Sequence, residues 1–174
     1  MISKHFAIAT AVLNTIKADT VLTAVIAADR WRVQKRFYHR NQDWKEGGYV
    51  VPIRRSTMPH ENTNLLITFP VLLGVIFPSD NSVELTDVEA NTRLMVQERL
   101  ELIFHFQGRG KMPTLLRNIA SEGTGVDNFF IEKLSCQPGD VYMESAFAMN
   151  YDAYGLVVNF EVQTAKQDFS ALGA

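Results

Sequence analysis

The sequence predicts an α+β fold: N-terminal helices packed on a mostly antiparallel sheet with one long central strand, a projecting basic hairpin and a C-terminal β-meander. Three observations lead there. Apolar residues recur at helical spacing from Phe6 to Ile16. Between residues 65 and 162 several stretches are either wholly apolar or alternate apolar with polar, the period of a strand. The last of these stretches are separated by short turn segments, QPGD and NYDA.

The elements follow in order. Phe6, Ala9, Val12, Leu13 and Ile16 place an amphipathic helix over 4–17, with Ser3 in position to cap it. Asp19 or Thr20 then caps a second short helix, 21–28, with Val21, Leu22, Val25 and Ile26 on one side. The stretch RWRVQKRFYHR (30–40) fits a strand that puts Trp31, Val33 and Phe37 on one face. KEGG (45–48) is a loop of hairpin length and YVVPIRR (49–55) a β-rich run beyond it, so 32–55 reads as a hairpin. Pro52 cannot donate to a ladder and marks that arm as an edge. STMPHENTN (56–64) is polar and turn-rich, a loop. LLITFPVLLGVIF (65–77) suits a strand buried on both faces, bent or interrupted at Pro70 and Gly74.

Residues 83–93 show no clear period. In LMVQERLELIFHF (94–106), Leu94, Val96, Leu100, Leu102, Phe104 and Phe106 fall on one face of an alternating pattern, the expected long strand and spine of the sheet. QGRGK (107–111) is a turn, and 112–121 forms a short helix. FFIEKLSC (129–136), VYMESAFAM (141–149) and YGLVVNFEV (154–162) complete the sheet as a meander. The polar tail QTAKQDFSALGA is free to move or to dock.

All 174 residues are expected in a single domain, 1–174, with the hairpin as an extension. The 47% hydrophobic and 21% charged fractions are globular values. A chain of this length buries roughly two thirds of its unfolded surface, so it needs no metal or disulfide to fold. Cys136 is the only cysteine, which excludes an intrachain disulfide. The N-terminal apolar run is broken by Thr10, Asn14 and Lys17 and is not read as a signal peptide. No apolar stretch is long enough for a membrane span, so a soluble cytoplasmic protein is expected.

The net charge of −2 conceals an asymmetry. Residues 30–55 hold eight Lys or Arg against Asp43 and Glu46, a local +6, and the remainder carries −8. A basic segment on an acidic body points to surface partners and not to fold.

Catalytic chemistry finds little support. His5, His39, His60 and His105 show no metal-ligand spacing, and no metal or cofactor is expected. Cys136 has no adjacent base and reads as an ordinary strand residue. GRGK (108–111) lacks both the leading glycine and the hydroxyl residue of a phosphate loop, Met112 standing in the latter position. TDVEAN (86–91) lacks the oxygen spacing of a calcium loop. The expectation is a protein that is not an enzyme.

The element order, with the helix HFAIATAVLNTIK, the strand PVLLGVIF after a polar loop, and the ending YMESAFAMNYDAYGLVVNFEVQ, resembles phage tail terminator and head–tail joining (neck) proteins. The likeness covers most of the chain, although the 32–55 hairpin is longer than the minimal family has. It implies a virion structural protein assembled in the host cytoplasm, a hexameric ring that ends the tail tube and joins it to the head connector. Its partners would be further copies of itself, the tail-tube protein below and the connector above, with genomic DNA only as passing cargo and no membrane. The alternatives are a tail-tube or other connector subunit, a nucleic-acid-binding module using residues 30–55, and an enzyme of unknown type. The residues expected at the subunit interface are Arg30, Trp31, Arg32, Lys35, Arg36, Phe37, Tyr38, Arg40, Arg54 and Arg55. Arginine pairs bidentately with carboxylates there, and the aromatics serve as anchors.

Overall fold

The computed structural model describes residues 4–34, 46–60, 64–79, 82–105, 133–138 and 151–165. Three helices share one core with one face of a six-stranded, mostly antiparallel sheet, an α+β arrangement. Helix α1 spans Lys4–Lys17, the range its apolar spacing predicts, and buries Ile8, Ala9, Ala11, Val12 and Ile16. Helix α2 spans Thr20–Val25, shorter than the expected 21–28. It starts where Asp19 Oδ1 accepts from the amides of Val21 at 3.1 Å and Leu22 at 3.0 Å.

The sheet order is β1-β2-β4-β6-β5, from strands β1 (Trp31–Val33), β2 (Gly47–Pro52), β4 (Asn64–Pro78), β5 (Lys133–Pro138) and β6 (Tyr151–Ala165). β6 pairs with β4 along all fifteen residues of each, from Asn64↔Ala165 to Pro78↔Tyr151. The other edge of β4 is shared end to end by β2 and by β3 (Ser56–His60). Pro70 falls between those two ladders. Its carbonyl accepts from the Ile53 amide at 2.9 Å, and its nitrogen, on the same side of the strand, faces the bend where no ladder bond is due. The strand therefore runs through both Pro70 and Gly74 without a break. Ile67, Phe69, Val71, Leu73 and Val75 face the helices, while Ile76 is buried on the other face of the sheet.

Several expectations are corrected. Within the expected strand 94–106, residues 94–105 are helical: Asp87–His105 is a 19-residue helix, α3. Val96, Leu100 and Phe104 enter the core at i, i+4 and i+8, a spacing that strand and helix periods share. Leu94 and Leu102 fit only the strand period and are exposed. The composition also favours a helix, since Leu, Met, Gln, Glu and Arg are strong helix formers. The spine is instead β4, which lies inside the sheet. Segment 32–55 is not a simple hairpin, because β1 and β2 run parallel, Trp31↔Gly48 to Val33↔Val50, and a parallel pair needs a crossover. The segment 56–60 is a strand and not a loop, polar because it is an exposed edge. β5 and β6 are antiparallel, but both edges of β6 are taken by β4 and β5. The described strands therefore pair β5 directly with β6, where the expected meander has an intervening strand at 141–149. That strand, the helix at 112–121 and the end of the tail lie outside the described residues.

Candidate interface

The basic end of the molecule is built on a glycine contact. Trp31 lies opposite Gly48, and a Cβ at Gly48 would sit 2.0 Å from the indole Cε3. The ring therefore passes flat over the β2 backbone and into the core, where only 1% of Trp31 is exposed. Its Nε1–H donates to the Ile26 carbonyl at 3.1 Å. Trp31 is thus corrected from interface anchor to core residue, because the strand alternation that exposes Arg32 points its neighbour inward. Gly47, at φ +147°, lets the Arg30 carbonyl approach to 2.7 Å from where a Cβ would stand.

Arg32 lies across the Tyr49 ring at 4.9 Å and donates to its hydroxyl at 3.1 Å. Arg30 pairs with Glu46 at 3.0 Å, both side chains about half exposed, a contact worth little in stability. Arg54 is exposed and Arg55 half-buried, both in the bend from β2 to β3. Arg30, Arg32, Arg54 and Arg55 thus lie toward the β1 end of the sheet. Lys35, Arg36, Phe37, Tyr38 and Arg40 lie outside the described residues.

Helix α1 covers that end, over β1 and β2, while α3 packs over β5, β6 and α2 at the other. A capping box starts α3. The Thr86 amide and hydroxyl both donate to Glu89 Oε2 at 2.9 Å, and the Glu89 amide returns a bond to Thr86 Oγ1 at 3.3 Å. The Thr86 bonds hold the Glu89 carboxyl below its usual range. The two arginines of α3 turn inward: Arg93 pairs with Asp152 and donates to the Pro78 carbonyl at 2.8 Å, and Arg99 pairs with Asp19 at 2.6 Å. Tyr154 donates to Glu101 at 3.0 Å. Asp87 and Glu98 remain on the solvent face with Val88, Leu94, Met95 and Leu102.

Sequence reasoning missed this second surface because it placed Leu94 and Leu102 in a strand's core. The box T-D-V-E at 86–89 is the signal that marks a helix start there. Among the described residues, no group of three or more His, Cys, Asp or Glu side chains is placed to hold a metal ion. His5 belongs to the fold: its Nε2–H donates to the Pro70 carbonyl at 2.7 Å and its ring meets Phe69 edge-on. Cys136 sits in β5 opposite Val158. Among the described residues no helix is long and apolar enough to cross a membrane. No protein-family model matches the chain, and no curated protein matches it.

Proposed function

We propose that this chain is a structural subunit of a phage neck, forming a closed ring that ends the tail tube and joins it to the head connector. The observation that carries the assembly part is the separation of charge across one sheet. Among the described residues, Arg30, Arg32, Arg54 and Arg55 lie toward the β1 end, and α3 at the far end presents Asp87 and Glu98 while its two arginines pair with Asp152 and Asp19. A subunit whose two ends are complementary joins copies head to tail, and such a contact closes into a ring when the rotation between copies allows. The place in the neck rests on the element order: paired opening helices, a long apolar strand, and antiparallel strands toward the C-terminus.

In this reading the basic segment binds protein. Duplex DNA has to slide through a neck, and a lumen lined with arginines would hold it by counterion release at each phosphate. Walls drawn from the acidic remainder of the chain suit a conduit better. Complementary charge between subunits sets register and speeds docking more than it adds affinity.

Light scattering on a sizing column, with negative-stain images, tests the reading. Closed rings that fail to retard duplex DNA at about 150 mM salt are the expected result. Open tubes move the chain to a tail-tube subunit. A monomer that retards DNA in a steeply salt-dependent way makes residues 30–55 a nucleic-acid-binding surface and ends the neck reading.

A further inference from the structure

Helix α3 carries more apolar surface than its own core uses. Val96, Leu100 and Phe104 are buried against the sheet. On the opposite side Val88, Met95 and Leu102 recur every seven residues, a spacing that drifts only ~20° per repeat and so makes a nearly straight stripe. Val88 is 75% exposed and Leu102 51%. A helix that meets only water is polar on that face. Asp87 and Glu98 border the stripe on one side; on the other, Arg99 is neutralised by the Asp19 carboxylate, and Arg93 points away to Asp152. An acidic border repels phosphate, which argues against a lipid headgroup or nucleic acid as occupant. It fits a basic protein surface, and this chain carries one at the opposite end of its sheet.

We infer that the solvent face of α3 receives the β1 end of a second copy, with Glu98 facing Arg32 and Arg54 of the neighbour and the apolar stripe closing beneath them. The inference rests on the ring reading and names the two surfaces that meet. They are different surfaces, so each copy uses one of each and no pair of copies satisfies both.

That property gives a decisive mixing experiment. One variant loses the basic surface, Arg32→Glu with Arg54→Glu; the other loses the acidic surface, Glu98→Lys with Leu102→Lys. All four positions are exposed, so circular dichroism should match the parent; Arg32→Glu also gives up the Tyr49 contact, so the basic-surface variant should melt modestly lower while remaining folded. Each variant alone should be monomeric under conditions where the parent is a ring. Mixed in equal amounts, they should form a dimer that grows no further, because one intact acidic surface meets one intact basic surface. If the parent forms rings and either variant still does, or the mixture stays monomeric while both are folded, the assignment of these surfaces is overturned and the ring stands. A parent that is monomeric at every concentration overturns both. Retention of the parent on lipid vesicles or DNA, abolished by the α3 variant alone, overturns the choice of a second copy as occupant.

Discussion

Asp19 ties two helices together through its two carboxylate oxygens. Oδ1 caps α2, while Oδ2 accepts from Nε of Arg99 at 3.0 Å and from its Nη2 at 2.6 Å. α2 and α3 therefore meet at one side chain, which is only 10% exposed. Burial pushes the Asp19 carboxyl upward, but the Arg99 bond and charge, with the Val21 and Leu22 amides, outweigh it and hold the group below its ordinary value of 3.8.

Two substitutions at Asp19 separate its roles. Asp19→Asn keeps a good cap and loses the ion pair, and should cost about 1 kcal/mol or less. Asp19→Ala loses both and should cost about 1–3 kcal/mol. Chemical denaturation of the two variants measures the difference. Because the folded value is depressed, the stabilisation is complete above the unfolded value and is lost as pH falls through the folded one. The parent and Asp19→Ala should therefore converge in stability only in strong acid.

His5 acts at milder pH. Burial lowers its pKa from the ordinary 6.5, the bond to the Pro70 carbonyl partly opposes this, and the charge of Arg55 adds to the lowering. Folding therefore favours the neutral ring. Its stability contribution is full above 6.5 and declines as pH falls from there toward the lower folded value. Melting temperatures followed from pH 7.5 to 5 should drop for the parent and drop less for His5→Gln, measured relative to each protein's neutral value. Equal slopes would mean that the ring is charged in the fold.

Neighbouring positions on α3 should respond oppositely. Phe104→Ala should cost about 3–5 kcal/mol, since the ring is fully buried. Leu102→Ala, at an exposed position, should change monomer stability by less than about 0.5 kcal/mol. A large loss at Leu102 in the monomer would return this stretch to the strand its alternation suggests.

At the basic end, Gly48→Ala should destabilise by more than the usual cost of a surface change, because the new methyl meets the Trp31 ring. Trp31→Leu should be destabilising alone and should reduce the penalty of Gly48→Ala in the double variant. The coupling read from that double-mutant cycle should be favourable. Simple additivity would mean that the two residues are not in contact.

How much of this was legible in the sequence depends on which period each stretch obeys. α1 was legible to the residue because its apolar positions fit only a helix. β4 was legible because a continuous apolar run bounded by polar loops suits a strand covered on both faces. α3 is hidden in the sequence because Val96, Leu100 and Phe104, four apart, satisfy both periods, and Leu94 and Leu102 complete that of a strand. The capping box upstream, Thr86 with Glu89, distinguishes the two cases, since it satisfies free amides that only a helix start exposes. The basic segment was visible as charge, but its parallel pairing was not, because a glycine loop between two β-rich runs fits a hairpin equally well. Likewise, alternation separates Trp31 from Arg32 but leaves open which face is the core; Gly48, seventeen positions on, is what leaves room for the indole there.

The ladder between β4 and β6 also sets the timing of folding during synthesis. Every residue of β4 from Asn64 to Pro78 finds its β6 partner only among residues 151–165. At roughly 5–20 residues per second, the most apolar strand of the chain waits about 5–20 s at the ribosome with that edge unpaired. The earlier helices and β2 can cover one face and the other edge in that interval, but not this one. Contacts of such sequence separation also slow folding itself, because a long loop must close before any of them contributes. Nascent chains are therefore most vulnerable to edge-to-edge association between the completion of β4 and the arrival of β6. Slower translation over 106–150 would lengthen that interval and lower the yield of folded protein without altering a single side chain.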